Sequence, residues 1–189
     1  MAPGSSVLEI GAGSGRNLAT LIETMNVAAV DDAAERIKAL QAKFEQGAAR
    51  ILHAPYNRMP FSDRSFDAVL STHALLHGTA ADVQGVLYEI ARVSRPDALL
   101  FATFGSQRDA RFGEGTRVDE QSFAPVNGDE AGVTHSYFTE RELREVLQNF
   151  EIERLEEIRV DQIAGRWAHP HTPLRGAVHW FTTLKVLSR

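Results

Sequence analysis

Short apolar runs recur along the first half of the chain, each followed by glycine or polar residues. Runs of this length and composition are typical of buried strands in a parallel sheet. The runs that we expect to form strands are Ser6 to Ile10, Val27 to Val30, Arg50 to His53, Phe66 to Ser71 and Ala98 to Phe104.

The segments between these runs carry apolar residues at the spacing of a helix. Ile37, Leu40 and Phe44, for example, fall on one face of a segment that Gly47 ends. The predicted helices cover Asn17 to Met25, Ala33 to Gln46 and Ala81 to Ser94. Strands and helices alternate in this way in βαβ units, which predicts an α/β fold with helices on both faces of a parallel sheet.

The pattern changes after Phe104. Residues 105 to 136 are rich in Gly, Asp, Arg and Ser with little periodicity, and a loop of that length in a compact domain is usually functional or mobile. A helix is predicted over Thr139 to Gln148, with Thr139 and the glutamate three residues later forming a capping box. Phe150 to Val160 and Ala177 to Leu187 are two late strands without a helix between them, so we expect them to be antiparallel.

The turn after the first strand, Gly11-Ala12-Gly13-Ser14-Gly15, is dense in glycine. Glycine permits sharp turns and close approach of the backbone to a ligand, and the following helix directs free N–H groups at the turn. A dinucleotide fingerprint needs its third glycine at the position of Arg16. The spacing is therefore G-x-G-x-G, with Glu9 two residues before it. A turn that binds nothing is the structural alternative.

The composition excludes several classes of protein. A chain of 189 residues with 43% hydrophobic and 24% charged residues fits one globular domain spanning 1–189. The absence of cysteine excludes disulfides, thiolate metal sites and cysteine nucleophiles. No apolar run approaches the ~18 residues of a membrane span and no signal pattern is present, so we expect a cytoplasmic protein with no membrane partner. A net charge of −5 argues against a nucleic-acid partner.

Val7 to Asn17 resembles motif I of the class I S-adenosylmethionine (SAM) dependent methyltransferases. The resemblance continues through Met59-Pro60-Phe61 and Asp63 to Asp67 as far as about Phe104. It implies a Rossmann-like, doubly wound, mostly parallel seven-stranded sheet with an antiparallel last strand. It also implies in-line methyl transfer from SAM to a small-molecule acceptor, with residues 105–136 as a substrate-side insert. The helices that usually precede the first strand in this family are missing here.

The resemblance also implies which residues bind SAM. Asp31 lies twenty residues after Gly11, at the end of the second strand, where a carboxylate can accept two hydrogen bonds from a ribose. The alternative is that Asp31 caps the next helix, unless Asp32 does so. The expected cofactor-binding residues are Glu9, Gly11, Ala12, Gly13, Gly15, Asp31, Asp32, Tyr56 and Ser71.

The chain departs from the family pattern at Pro55. The family has an aspartate there that holds the adenine amino group, whereas proline offers neither a carboxylate nor an N–H. Adenine must then be held by stacking, by the Tyr56 backbone N–H, or by a side chain such as Asn57 or His53. Loss of one such hydrogen bond costs about 1 kcal/mol.

The acceptor side contains three candidate general bases, His73, His77 and His135, each of which has an ordinary packing role as its alternative. No metal site is expected, because no acid lies at regular ligand spacing beside the late histidines His169, His171 and His179. No Asn-Pro-Pro-Tyr motif follows the fourth strand, which disfavours methylation of nucleic-acid bases.

Two other functional hypotheses remain. The missing N-terminal helices and Pro55 suggest a non-catalytic SAM-binding or partner-binding module of the same fold. A nicotinamide-dependent oxidoreductase would also use a glycine-rich turn, but the position of the third glycine, Gly15, disfavours it. An oligomer is compatible with the sequence.

Overall fold

The computed structural model describes residues 1–44, 47–160, 163 and 175–187. The strands are β1 (Ser6–Ile10), β2 (Asn26–Asp31), β3 (Arg50–His53), β4 (Phe66–Ser71), β5 (Ser94–Ser106), β6 (Thr116–Arg117), β7 (Ser122–Ala124), β8 (His135–Phe138), β9 (Phe150–Arg159) and β10 (Val178–Val186). The helices are α1 (Arg16–Leu21), α2 (Ala34–Lys43), α3 (Ala80–Val93) and α4 (Glu140–Val146).

Seven of these strands form one continuous sheet in the order β3-β2-β1-β4-β5-β10-β9. The first five are parallel, and β10 is antiparallel to both β5 and β9. The predicted Rossmann-like, mostly parallel sheet with an antiparallel last strand is therefore confirmed. Strand β1 lies inside the sheet between β2 and β4, and its apolar residues Leu8 and Ile10 are buried completely, as expected for an interior parallel strand.

Helix α3 covers one face of the sheet with the stripe that its spacing predicts. Val83, Val86, Leu87, Ile90 and Val93 are all buried. A capping box starts the helix: the Thr79 hydroxyl accepts from the Asp82 N–H, and the Asp82 carboxylate accepts from the Thr79 N–H. The opposite face is covered by α1 and α2 over β2 and β3.

Two predicted elements differ from those observed. Helix α1 ends at Leu21 and not at Met25, because the chain must turn so that Asn26 can pair with Ser5 at the start of β2. Residues 105–136, expected to lack regular structure, form β6, β7 and the start of β8. Strand β8 pairs with β5 only at Gly105 and Ser106, so this small antiparallel addition lies at the carboxyl end of β5.

The sequence places other elements within a few residues of their observed bounds. The predicted capping box of α4 is confirmed by the reciprocal hydrogen bonds between Thr139 and Glu142. No helix among the described residues is both long and apolar enough to cross a membrane. The carboxyl ends of β1, β2 and β4 meet at one edge of the sheet, and this edge carries the candidate site.

Candidate functional site

The glycine-rich turn bends from the end of β1 over the end of β2. The N–H groups of Gly11 and Ala12 both donate to the carbonyl of Val30, at 2.9 and 3.3 Å. The N–H of Gly15 then donates to the carbonyl of Ala12 at 2.8 Å, which closes the turn into α1. Gly11, Gly13 and Gly15 all have positive φ angles, a conformation that side chains disfavour.

The three glycines are required for different reasons. A Cβ atom on Gly11 would lie 2.4 Å from the Cβ of Ala74, and one on Gly15 would lie 2.7 Å from the Leu40 side chain. The space beside these two glycines is therefore occupied by other side chains of the protein. A Cβ on Gly13 would have no side chain within 4 Å, and its nearest neighbour would be the carbonyl oxygen of Gly11 at 3.9 Å. The space over Gly13 is open.

Asp31 holds the turn in place. Its Oδ2 accepts a hydrogen bond from the N–H of Gly13 at 3.0 Å, and its Oδ1 accepts one from the N–H of Ala33 at 3.0 Å. Arg36 lies 3.6 Å from Oδ1, and the Asp31 side chain is inaccessible to solvent. Neither aspartate caps α2 with its side chain: the N-cap residue is Ala33, and the bond from Asp31 to the Ala33 N–H lies just before the helix. Each carboxylate oxygen still has a second acceptor site for a hydrogen bond. Because the side chain is buried, however, a ribose can reach Asp31 only if a neighbouring group moves.

Asp32 lies on the surface beside Tyr56. The Tyr56 hydroxyl donates to Asp32 Oδ1 at 3.2 Å, and His53 Nε2 lies 3.0 Å from the Asp32 carbonyl. Burial, followed by the nearby charge of Asp31, raises the pKa of Tyr56. The hydroxyl also lies beside Gly11. Tyr56 therefore reaches this edge through its hydroxyl, whereas the sequence singled out its backbone N–H.

Glu9 is buried under the turn with one of its carboxylate oxygens unpaired. Oε1 accepts a hydrogen bond from Asn17 Nδ2 at 3.0 Å, while Oε2 has no hydrogen-bond partner among the described residues. Burial raises the pKa of Glu9 to about 7, because it outweighs the opposing effect of the Asn17 hydrogen bond. An acceptor of this kind fits a cationic ligand group that brings its own N–H donors.

Ser71 ends β4 on the same edge, and Thr72 follows it. The buried Ser71 hydroxyl donates to the carbonyl of Ile10 at 3.2 Å, so this side chain joins β4 to β1. The Thr72 hydroxyl accepts from Asn17 Nδ2 at 3.2 Å and thereby extends the Glu9 cluster toward β5. The Ser71 hydroxyl therefore binds the backbone of β1, whereas the Thr72 hydroxyl binds a side chain of α1.

His73 follows in a strained conformation. Its φ of +63° is rare for a residue with a side chain, and its N–H donates to Thr103 Oγ1 at 3.0 Å. The His73 ring lies edge-on to His179, with ring centroids 4.8 Å apart. Burial lowers the pKa of His179 to about 4, and the imidazole is therefore neutral at pH 7 although Asp109 lies 3.7 Å away.

His77 and His135 form a second histidine pair, closer to the insert. Their ring centroids are 4.9 Å apart, and the two residues share an isolated β-bridge. Glu130 lies against both rings, 3.7 Å from His77 Nε2 and 3.3 Å from His135 Nε2. The structure therefore separates the three predicted bases into a His73–His179 pair and a His77–Glu130–His135 cluster. His169 and His171 lie outside the described residues.

Sequence reasoning did not single out Asn17, Thr72, Thr103 or Glu130. Asn17 had a usable signal, since it lies in the first helical turn after the glycines, where side chains approach a bound ligand. Thr103 and Glu130 had none. Thr103 contacts His73 across thirty positions of sequence, and Glu130 is one of many mixed charges in the insert.

Comparisons with known proteins agree with this geometry. Residues 8–102 match a family described as a methyltransferase domain. A SAM-dependent methyltransferase from Methanosarcina mazei has a similar structure, with a TM-score of 0.77 and 21% identity over 100% of this chain and 95% of that one. No match was found among curated proteins.

Two further solved structures share the fold. One is the complex of a Haloferax volcanii methyltransferase with the Trm112 methyltransferase activator (TM-score 0.74, 18% identity, 100% of this chain and 85% of that one). The other is the 1,6-didemethyltoxoflavin-N1-methyltransferase of Burkholderia thailandensis with 1,6-didemethyltoxoflavin and S-adenosylhomocysteine bound (TM-score 0.70, 20% identity, 98% of this chain and 72% of that one).

The residues at the sheet edge fit the cofactor of this family. The open space over Gly13 leaves room for a ligand against the bare turn, and the unpaired Glu9 Oε2 is an acceptor for the ammonium group of a methionyl moiety. Pro55, where the family has an adenine-binding aspartate, does not fit. With the match over half of its length and the shared fold, the chain belongs to the class I SAM-dependent methyltransferases.

Proposed function

We propose that this protein binds SAM over Gly13 and transfers its methyl group to a small-molecule acceptor by in-line displacement. The proposal is carried by two observations on the same turn: the open space at Gly13 and the buried Glu9, whose Oε2 has no hydrogen-bond partner among the described residues. No other pair of features at this edge combines room for a nucleoside with an acceptor for a cation among the described residues.

The cofactor-binding residues divide by the part of SAM that each would hold. Glu9, with Asn17 and Thr72 beside it, faces the methionyl end. Asp31 and Asp32 are the ribose candidates, Asp31 through its spare acceptor sites and Asp32 through its exposed carboxylate. Tyr56 borders the adenine end and supplies an aromatic face in place of the hydrogen bond that Pro55 cannot make.

When bound, SAM supplies a methyl group on a positively charged sulfur. The protein's own contribution is alignment, which is worth about 7–11 kcal/mol for well-oriented reactants. A general base is needed only for an acceptor that must lose a proton. His73 is the strongest of the three candidates, because it directly follows Thr72 and its backbone is fixed by Thr103.

A groove of about 260 Å³ supports a small acceptor. It begins at Thr72 and Thr103, beside the Glu9 cluster, and its apolar walls include Leu70, Phe101 and Phe181. This volume is close to the lower end of the range for small-molecule sites, about 300–1,000 Å³. The mixed charges of the insert and the net charge of −5 also disfavour a nucleic-acid acceptor.

The proposal is tested by two measurements on the same protein. Calorimetric titration with S-adenosylhomocysteine should give a single site, and incubation with SAM and a panel of small oxygen, nitrogen and sulfur acceptors should release S-adenosylhomocysteine. A Gly13→Val variant is the control for both. Absence of binding at millimolar ligand would contradict the proposal. Binding without methylation of any acceptor would favour the non-catalytic module.

A further inference from the structure

The His77–Glu130–His135 cluster is not used by the proposed methyl transfer. Each residue offers one ligand atom, and these atoms all lie within 4.8 Å of one another. Glu130 Oε1 is 3.7 Å from His77 Nε2, and Glu130 Oε2 is 3.3 Å from His135 Nε2. Nitrogen and oxygen ligands placed 2.0–2.2 Å from one ion in a tetrahedral site are about 3.3 Å apart. The two separations between a histidine nitrogen and a Glu130 oxygen are therefore close to the spacing of a coordination shell.

The orientation of His135 also favours metal binding. Its Nδ1 lies 2.8 Å from the carbonyl of Val133, which fixes the ring and leaves Nε2 facing Glu130. A hydrogen bond from the second ring nitrogen to a carbonyl is the usual support of a metal-bound histidine. His135 is 2% exposed, and its buried Nε2 faces Glu130 Oε2 at 3.3 Å.

The backbone holds the two histidines together. On either side of the bridge between His77 and His135, Gly78 N–H donates to the carbonyl of Thr134 at 2.7 Å and Ser136 N–H donates to that of Leu76 at 2.9 Å. The two rings are thus brought together by main-chain pairing and not by a contact between exposed side chains. The preorganisation lowers the entropic cost of binding an ion.

We propose that His77, Glu130 and His135 bind one divalent transition-metal ion, with Zn²⁺ as the natural occupant. Two imidazoles and a carboxylate are ligands typical of Zn²⁺ and other divalent transition metals, whereas Mg²⁺ prefers a shell of oxygen atoms. Three protein ligands leave a coordination position open for water or another oxygen ligand. His77 and Glu130 are partly exposed, so this position is reached from solvent.

The ion would join the insert to the core beside the cofactor turn. Glu130 and His135 belong to the insert and its junction with β8, while His77 follows β4. The N–H of His77 donates to the carbonyl of Ala74, the residue whose side chain packs against Gly11. Metal binding at this cluster is therefore a means of fixing the insert over the acceptor side.

The test is a zinc titration of the full-length protein after treatment with a chelator. Calorimetry in the presence of a competing chelator should give one Zn²⁺ site in the wild type, with no heat from Mg²⁺ beyond dilution. Glu130→Gln and His77→Gln each remove one partly exposed ligand, so both should fold, and each should weaken Zn²⁺ binding by at least about 10- to 100-fold. Glu114→Gln, an exposed carboxylate of the same insert, should bind as the wild type does.

Two results would overturn the proposal. One is the absence of a one-to-one Zn²⁺ site in the wild type, which would leave the cluster as an ion pair between Glu130 and the histidines. The other is a site whose affinity is unchanged in both Glu130→Gln and His77→Gln, which would locate the metal elsewhere. Because the titration contains no S-adenosylhomocysteine, neither result bears on the proposed cofactor site.

Discussion

At the scale of single residues, Glu9 carries the strongest prediction. Because burial raises its pKa to about 7, the carboxyl is half protonated near neutrality. A cationic ligand group favours the ionised form, so affinity for S-adenosylhomocysteine should fall by up to about tenfold per pH unit below 7. In the free protein the same raised pKa favours the protonated form, and the stability from this group is lost as pH rises from 4.5 through 7.

The pH dependence is measured by titrating S-adenosylhomocysteine between pH 6 and 7.5. Glu9→Gln should bind about 10- to 100-fold more weakly at pH 7.5, as expected for a hydrogen bond to a charged group worth about 1.5–3 kcal/mol. It should also lose most of the pH dependence. A variant that keeps the wild-type profile would show that Glu9 does not contact the ligand.

Gly13 tests the open space directly. Gly13→Val should abolish binding of S-adenosylhomocysteine because the side chain fills the region that has no protein neighbour. The substitution also strains a positive φ, so Gly4→Val is the matched control: Gly4 has a φ of +80° and no neighbour within 4 Å of a Cβ. Calorimetry should show normal binding in Gly4→Val. Equal affinities in the two variants would mean that the ligand does not lie over Gly13.

Asp31 and Asp32 should respond differently to the same substitution. Asp31→Asn disturbs two buried backbone hydrogen bonds and should lower the free energy of unfolding by about 1–3 kcal/mol, besides weakening S-adenosylhomocysteine binding. Asp32→Asn changes an exposed side chain and should leave stability within about 0.5 kcal/mol. Urea unfolding and calorimetry on both variants measure these effects. Undiminished affinity in Asp31→Asn would remove Asp31 from the site.

At the scale of elements, the insert depends on a buried ion pair. Asp109 is inaccessible to solvent, accepts hydrogen bonds from Arg111 and also accepts the Val178 N–H of β10. Burial alone would raise the pKa of Asp109, but the Arg111 contacts outweigh it and the pKa is lowered. The stability from this pair is therefore present above the ordinary pKa of aspartate and is lost as pH falls below it.

Asp109→Asn should accordingly lower the free energy of unfolding by about 3 kcal/mol, because it leaves Arg111 with a neutral partner. Glu114→Gln, at an exposed position of the same segment, should change it by no more than about 0.5 kcal/mol. Urea denaturation compares the two variants. Equal stabilities would show that the pair does not anchor the insert to β10.

The elements that could be predicted from sequence are those whose signals are local. The buried stripe of α3 and the capping box at Thr139 depend on residues three or four positions apart. Strands β6 and β7 were missed because they are only two and three residues long and pair with each other and with β8, so they carry no periodicity of their own. Within the site, the glycine turn was visible, while the contacts of Glu130 depended on the folding of the insert over β4.

At the scale of the whole molecule, the sheet order explains why the site lies where it does. Strands β1 and β4 are neighbours although sixty residues separate their sequences, and their carboxyl ends bring the glycine turn, Glu9 and Thr72 together. Crevices at such edges bind ligands in open α/β sheets because free N–H groups and strand ends converge there. The histidine pairs and the insert close the same edge from the side of β5.

The most direct test of this account is a crystal structure of the protein with S-adenosylhomocysteine. We expect the nucleoside over Gly13, its amino group within hydrogen-bond distance of Glu9 Oε2 and its ribose beside Asp31 and Asp32. A ligand bound elsewhere, or a cleft over Gly13 that stays filled by side chains at saturating ligand, would contradict the central claim.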